Sequence, residues 1–194
     1  MAALHDWLSP TRMVGLTAYG AAFIACGTGW VYCRRRHARS RLFSQIAGIQ
    51  FFLFLDMAFD WRWKIHDFWE NGAMALGVYG ERRPPQLLAL ALICLALAMA
   101  TIWIFREFRG QTGVAMAVTG TVLSAGIWCC DAISYHYLDA ILYHLIGKVM
   151  VVSLVWSSLA VVTCFGVWLD SRRSFSDESN LGNARPNSVR LRNQ

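Results

Sequence analysis

The chain has 194 residues, of which 56% are hydrophobic and 15% charged, with a net charge of +6. Soluble domains carry roughly 45–50% apolar and about 25% charged residues, so much of this surface is expected to face lipid. The excess of arginine does not read as a nucleic-acid footprint: the basic residues hug the ends of apolar runs and are not interleaved with aromatics, so anionic headgroups are the expected counterions.

Five apolar stretches of spanning length follow one another, at 13–33, 42–59, 87–105, 113–130 and 149–169. The first resembles a retained anchor more than a cleaved signal, because its basic block Arg34-Arg35-Arg36 follows the apolar run instead of preceding it. The expected fold is all-α: a polytopic bundle of five transmembrane helices in one domain, 1–169, with short interfacial helices on its outer face. Residues 170–194, rich in Ser, Asn and Arg, are expected to form a disordered cytoplasmic tail.

Arginine and lysine set the orientation. Of the 18 basic residues, 12 fall in the first and third connections and the tail, which places the N-terminus outside and the C-terminus inside a bacterial-type inner (plasma) membrane. Tryptophans support the same map: Trp30, Trp103 and Trp168 lie at the expected inner ends, and Trp7, Trp61, Trp63, Trp69 and Trp128 at or beyond the outer ends. Trp156 alone lies deep. Small residues along the spans, such as Gly15, Ala18 and Ala22 in the first and Ala117 and Gly120 in the fourth, suit close helix packing in lipid.

Polar residues concentrate at the outer end. Asp56, Asp60, Lys64 and Asp67 follow spacings of four, four and three, which on one continuous helix makes a single stripe with an Asp60–Lys64 pair. The connection from Trp61 is expected to be an interfacial helix as far as about Ala75, and Pro84 and Pro85 suit the first turn of the third span. Between the fourth and fifth spans, His136, Asp139 and Tyr143 share a helical face, and Asp131 and Tyr135 are a further i,i+4 pair. Leu138, Ile141, Leu142 and Leu145 supply an apolar side, so this segment is expected either to lie on the interface or to extend the fifth span as a protruding helix.

These residues support three readings. The first is an accessory or assembly subunit of a larger membrane complex, recognised through an aromatic and acidic outer surface of Trp61, Trp63, Lys64, Asp67, Tyr135, Asp139, Tyr143 and His144. The second is a membrane-embedded enzyme or small-ligand handler using Asp56, Asp60, His136 and Asp139 as acids and bases, with Lys64 or Arg62 holding an anionic group. The third is a proton or ion relay. His66, His136 and His144 are the metal-ligand candidates, but no HxxxH or ExxH spacing sets two of them on one turn, and no metal or other cofactor is expected. The anticipated partners are the lipid bilayer and a membrane-protein complex, not nucleic acid.

Overall fold

The computed structural model describes residues 9–34, 40–77, 79–133 and 135–184. Its elements in chain order are α1 (Pro10–Arg34), α2 (Ser40–Phe59), α3 (Trp61–Ala75), a 3-10 turn (Tyr79–Glu81), α4 (Arg83–Glu107), α5 (Thr112–Ile133), α6 (His136–Leu142), a hairpin of β1 (Leu145–Ile146) and β2 (Val149–Met150), and α7 (Val151–Ala184). Five of these, namely α1, α2, α4, α5 and the part of α7 from Val151 to Arg173, are long and apolar enough to cross a membrane. Trp7 and residues 185–194 lie outside the described residues.

Glycine explains the tightest helix pair. A methyl group at Gly113 would meet Asp170 N at 2.6 Å and Gly166 O at 2.7 Å, and one at Gly120 would strike the Thr163 hydroxyl. With no side chains in the way, α5 and α7 touch backbone to backbone, the arrangement that drives helix association where lipid removes the hydrophobic incentive. On the other side of α7, α1 presents Gly15, Ala18, Tyr19, Ala22, Cys26, Gly29 and Cys33. Trp156 lies against Gly15, whose added Cβ would sit 3.0 Å from its ring. Midway along the bundle, Gln50 of α2 donates to Thr121 Oγ1 of α5 at 3.0 Å, a fully buried polar link. By contrast α4 packs chiefly on α5, with Leu97 filling the space above Gly126, and of its side chains only Ile104 is buried.

Several boundaries depart from the sequence reading. The chain does not run straight from α2 into α3. Asp60 adopts a left-handed conformation (φ 54), so the helix stops at Phe59 and restarts in a new direction. The continuous stripe of Asp56, Asp60, Lys64 and Asp67 is thereby broken, because only an unbroken helix keeps those spacings on one face. Asp60 pairs with Arg12 at 2.9 Å instead of with Lys64, which is exposed.

Similarly, the segment after α5 is not a protruding extension of the last span. It is a short helix followed by a two-residue hairpin turn, where Gly147 (φ 68) supplies the positive φ such a turn demands at its first position. α5 ends at Ile133 and Tyr135 is extended at the start of α6, so Asp131 and Tyr135 do not form a helical pair. At the other end α7 continues to Ala184, through much of the stretch expected to be disordered, since extending an existing helix avoids the nucleation cost. The prolines at 84 and 85 do occupy the first turn of α4, and α3 ends at Ala75 as anticipated.

Candidate functional site

The left-handed corner at Asp60 turns the chain back over the end of α2. Two residues later this delivers Arg62 into the bundle, where its side chain is 8% exposed. Asp56, from the last full turn of α2, crosses the corner to accept a hydrogen bond from the Arg62 backbone N–H at 2.8 Å, and so caps the start of α3. Its other oxygen faces Arg62 Nε at 3.8 Å, beyond hydrogen-bond range.

Asp131, near the end of α5, completes the group. Its Oδ2 lies 3.0 Å from Arg62 Nη1, and its Oδ1 accepts from the Tyr143 hydroxyl at 3.0 Å. The carboxylate side chains are 1% and 0% exposed. Beneath the guanidinium lies the face of Trp156, its centroid 5.0 Å away, and Arg62 Nη2 is 3.8 Å from the sulfur of Met57. One cation thus serves two buried carboxylates, with the deep tryptophan as its platform.

A second arginine closes the outside of this network. Arg12 donates to the carbonyls of Met57 (3.0 Å) and Ala58 (2.6 Å), which α2 leaves without intrahelical partners, while its third nitrogen pairs with Asp60. The hairpin is tied down beside it by a hydrogen bond from Met150 N–H to Thr11 Oγ1 at 3.1 Å. Between these groups opens a cleft of about 370 Å³. Arg12, Asp60, Arg62 and Tyr143 bring polar atoms to it, and Trp63, Trp156, Met57 and Met150 give it apolar walls.

Tyr143 follows α6 and packs against Trp63, with ring centroids 5.8 Å apart. Burial pushes its phenol well above the ordinary value, and the neighbouring Asp131 carboxylate adds to the rise. The hydroxyl therefore stays protonated and acts as a hydrogen-bond donor.

The structure thus draws together part of the expected set: Asp56, Asp60, Trp63 and Tyr143 all belong to the network or the cleft wall. Lys64, Asp67 and His144 are exposed, and Asp139 is half-buried. Trp61 is engaged elsewhere, stacked on Phe59 at 5.7 Å, and Tyr135 packs on Tyr137. His136 opens α6, but its side chain is outside the described residues. Among the described residues the group with clustered ligand atoms is His66, Asp67 and Glu70, all within 4.8 Å, and His144 is not in it. His66 Nε2 sits 3.3 Å from Glu70 Oε2, an ordinary i,i+4 pair on a partly exposed turn.

Arg62, Asp131, Arg12 and Trp156 carry the site and were underweighted by sequence reasoning. The signal was there in Trp156, the single tryptophan away from the expected interfaces, which marks a buried partner for its ring. Comparison with known proteins gives no match to a family, to a curated protein or to a solved structure, so the chemistry of the site rests on its own geometry.

Proposed function

We propose that the protein is a multi-pass membrane protein that binds a small molecule in the cleft at the Asp60 end of the bundle. The observation that carries this reading is the convergence of α1, α2, α3, α7 and the hairpin region on one cleft lined by Arg62 and Tyr143, which the buried Asp131 of α5 ties together. Well-packed apolar residues serve stability as well as or better than a buried ion triad, and ionisable groups at membrane depth are by default sites of function. The cleft falls within the roughly 300–1,000 Å³ range of small-molecule sites and has their composition, apolar walls with a few convergent polar groups.

The fitting ligand has an apolar body for Trp63, Trp156 and Met150 and a polar head for Arg12, Asp60 and Tyr143. Small molecules extracted from protein purified in mild detergent test this directly. Ser9 lines the mouth, so Ser9→Trp is expected to abolish a compound retained by the wild type without loss of fold. No retained compound in the wild type, or equal retention in both proteins, defeats the reading. The arginine asymmetry supports a bacterial-type inner membrane with the cleft outside and the C-terminus in the cytoplasm; a reporter placed after Gln194 and accessible from outside the cell inverts that map.

A second reading, the accessory or assembly subunit, draws support from α3, where Phe68 and Trp69 are about 70% exposed and pack edge to face at 5.7 Å. A stoichiometric membrane partner that is lost from Trp69→Ala while the fold persists favours this reading, and partner recovery that Trp69→Ala leaves unchanged removes it.

A further inference from the structure

We propose that the groove between α1 and α2, at the opposite end from the cleft, holds an acyl chain of an anionic phospholipid whose phosphate is bound by Arg34 and Arg41. The groove, about 740 Å³, is walled by Phe23, Ile24, Val31, Ala47 and Phe51 around Gly27 and Gly48. Among the glycines of the five long apolar helices, those two set it apart. At Gly15, Gly29, Gly113, Gly120, Gly126 and Gly166 an added Cβ would press on a neighbouring helix or side chain, and at Gly20 it would touch Phe54. At Gly27 and Gly48 it would meet nothing within 4 Å. Glycine weakens a helix, and here no close approach within the chain explains it. Both line the groove, with the Phe23–Phe51 ring pair (centroids 5.1 Å apart) formed by the lining residues farthest along each helix from the connection between them.

The arginines stand at the other end by helical spacing. On α1, Arg34 follows Gly27, Trp30 and Val31 at intervals of seven, four and three, and its guanidinium lies 5.6 Å from the Trp30 ring. On α2, Arg41 precedes Ser44 and Gly48 by three and seven, on the same face. Both are exposed. An apolar slot ending in a basic cluster complements an acyl chain ending in a phosphate, and basic sites beside spans select anionic headgroups. A partner helix would match the slot but leaves the arginines without a counter-charge.

The test uses the full chain in bilayers of phosphatidylcholine alone or mixed with phosphatidylglycerol, with thermal melting and native mass spectrometry as readouts. The wild type should melt higher in the mixture and retain phosphatidylglycerol. Gly27→Leu/Gly48→Leu fills the slot from two positions where an added Cβ meets nothing within 4 Å, so it should melt no lower than wild type in phosphatidylcholine yet lose the added stabilisation and the retained lipid. Arg34→Gln/Arg41→Gln leaves the slot open and should erase the preference for phosphatidylglycerol. If either double variant keeps the wild-type preference, or if the leucine pair changes the oligomeric state but not lipid retention, the proposal is overturned and the groove is a helix contact. The cleft does not enter any of these readouts, so the two proposals stand or fall separately.

Discussion

Replacing Arg62 by leucine is the most searching perturbation of this bundle. It leaves Asp56 and Asp131, with side chains 1% and 0% exposed, without the one cation between them. Removing one partner of a buried ion pair costs about 3–5 kcal/mol, because the remaining charge stays desolvated and uncompensated. For a chain of this length each kcal/mol moves the melting temperature by about 2–4 °C, so a fall of roughly 6–20 °C is expected in detergent. Intrinsic fluorescence reports it, since the Trp156 ring lies directly under the guanidinium. Two further variants check the assignment of roles. Asp131 uses both oxygens, on Arg62 and Tyr143, so Asp131→Asn must sacrifice one bond and is expected to cost about 1–3 kcal/mol. Asp56→Asn keeps the acceptor for the Arg62 backbone N–H and removes the excess negative charge, and its cost should stay below about 1 kcal/mol. Combining Arg62→Leu with Asp131→Asn should recover about 0.5–3 kcal/mol of coupling. An Arg62→Leu protein melting within about 3 °C of wild type would falsify the whole account, since that shift corresponds to about 1 kcal/mol.

Other consequences are simpler to check. Arg12→Met removes two charged hydrogen bonds to the end of α2 as well as a partly exposed pair with Asp60, and should lower stability by about 1–2 kcal/mol in the same melting assay. Gly166→Leu drives a side chain into the α5 backbone at Ala117 and Gly113, so it is expected to abolish recovery of folded protein, whereas Gly27→Leu at an open position is tolerated. Raising the pH should leave Tyr143 un-ionised where exposed tyrosines titrate. A phenol with a raised folded-state value contributes stability that is complete below its unfolded value of 10.0 and lost progressively as pH climbs from there through the higher folded value. Absorbance titration near pH ~11 should therefore count the same number of tyrosinates in wild type and Tyr143→Phe.

Hydrophobicity and length made the five long apolar helices legible because crossing a bilayer demands both of each helix separately. Close contacts were partly legible for the same reason: Ala117 and Gly120 stood out as small, although Gly166, the partner of Ala117 on α7, did not, since a lone small residue has no periodic signature. What could not be read was the corner at Asp60. Nothing in Phe59-Asp60-Trp61 marks a left-handed residue, though Asp and Asn adopt that conformation more readily than most. Missing it has a large effect, because a helix carried through the corner puts Lys64 beside Asp60 and turns Arg62 to the far side. With the corner in place the pairing is redistributed: Asp60 takes Arg12 from a segment 48 positions earlier, and Arg62 reaches Asp131, 69 positions later. Local spacing therefore pointed to Asp56 and Asp60 but gave Asp60 the wrong cation, and it could not say which acid Arg62 would meet. The acids sit at helix ends, where depth is readable along one span, while each cation is chosen by how separate helices meet. That choice also builds the cleft, since Arg12 and Arg62 both meet the α2 terminus and Met150 of the hairpin lines the same cleft with them.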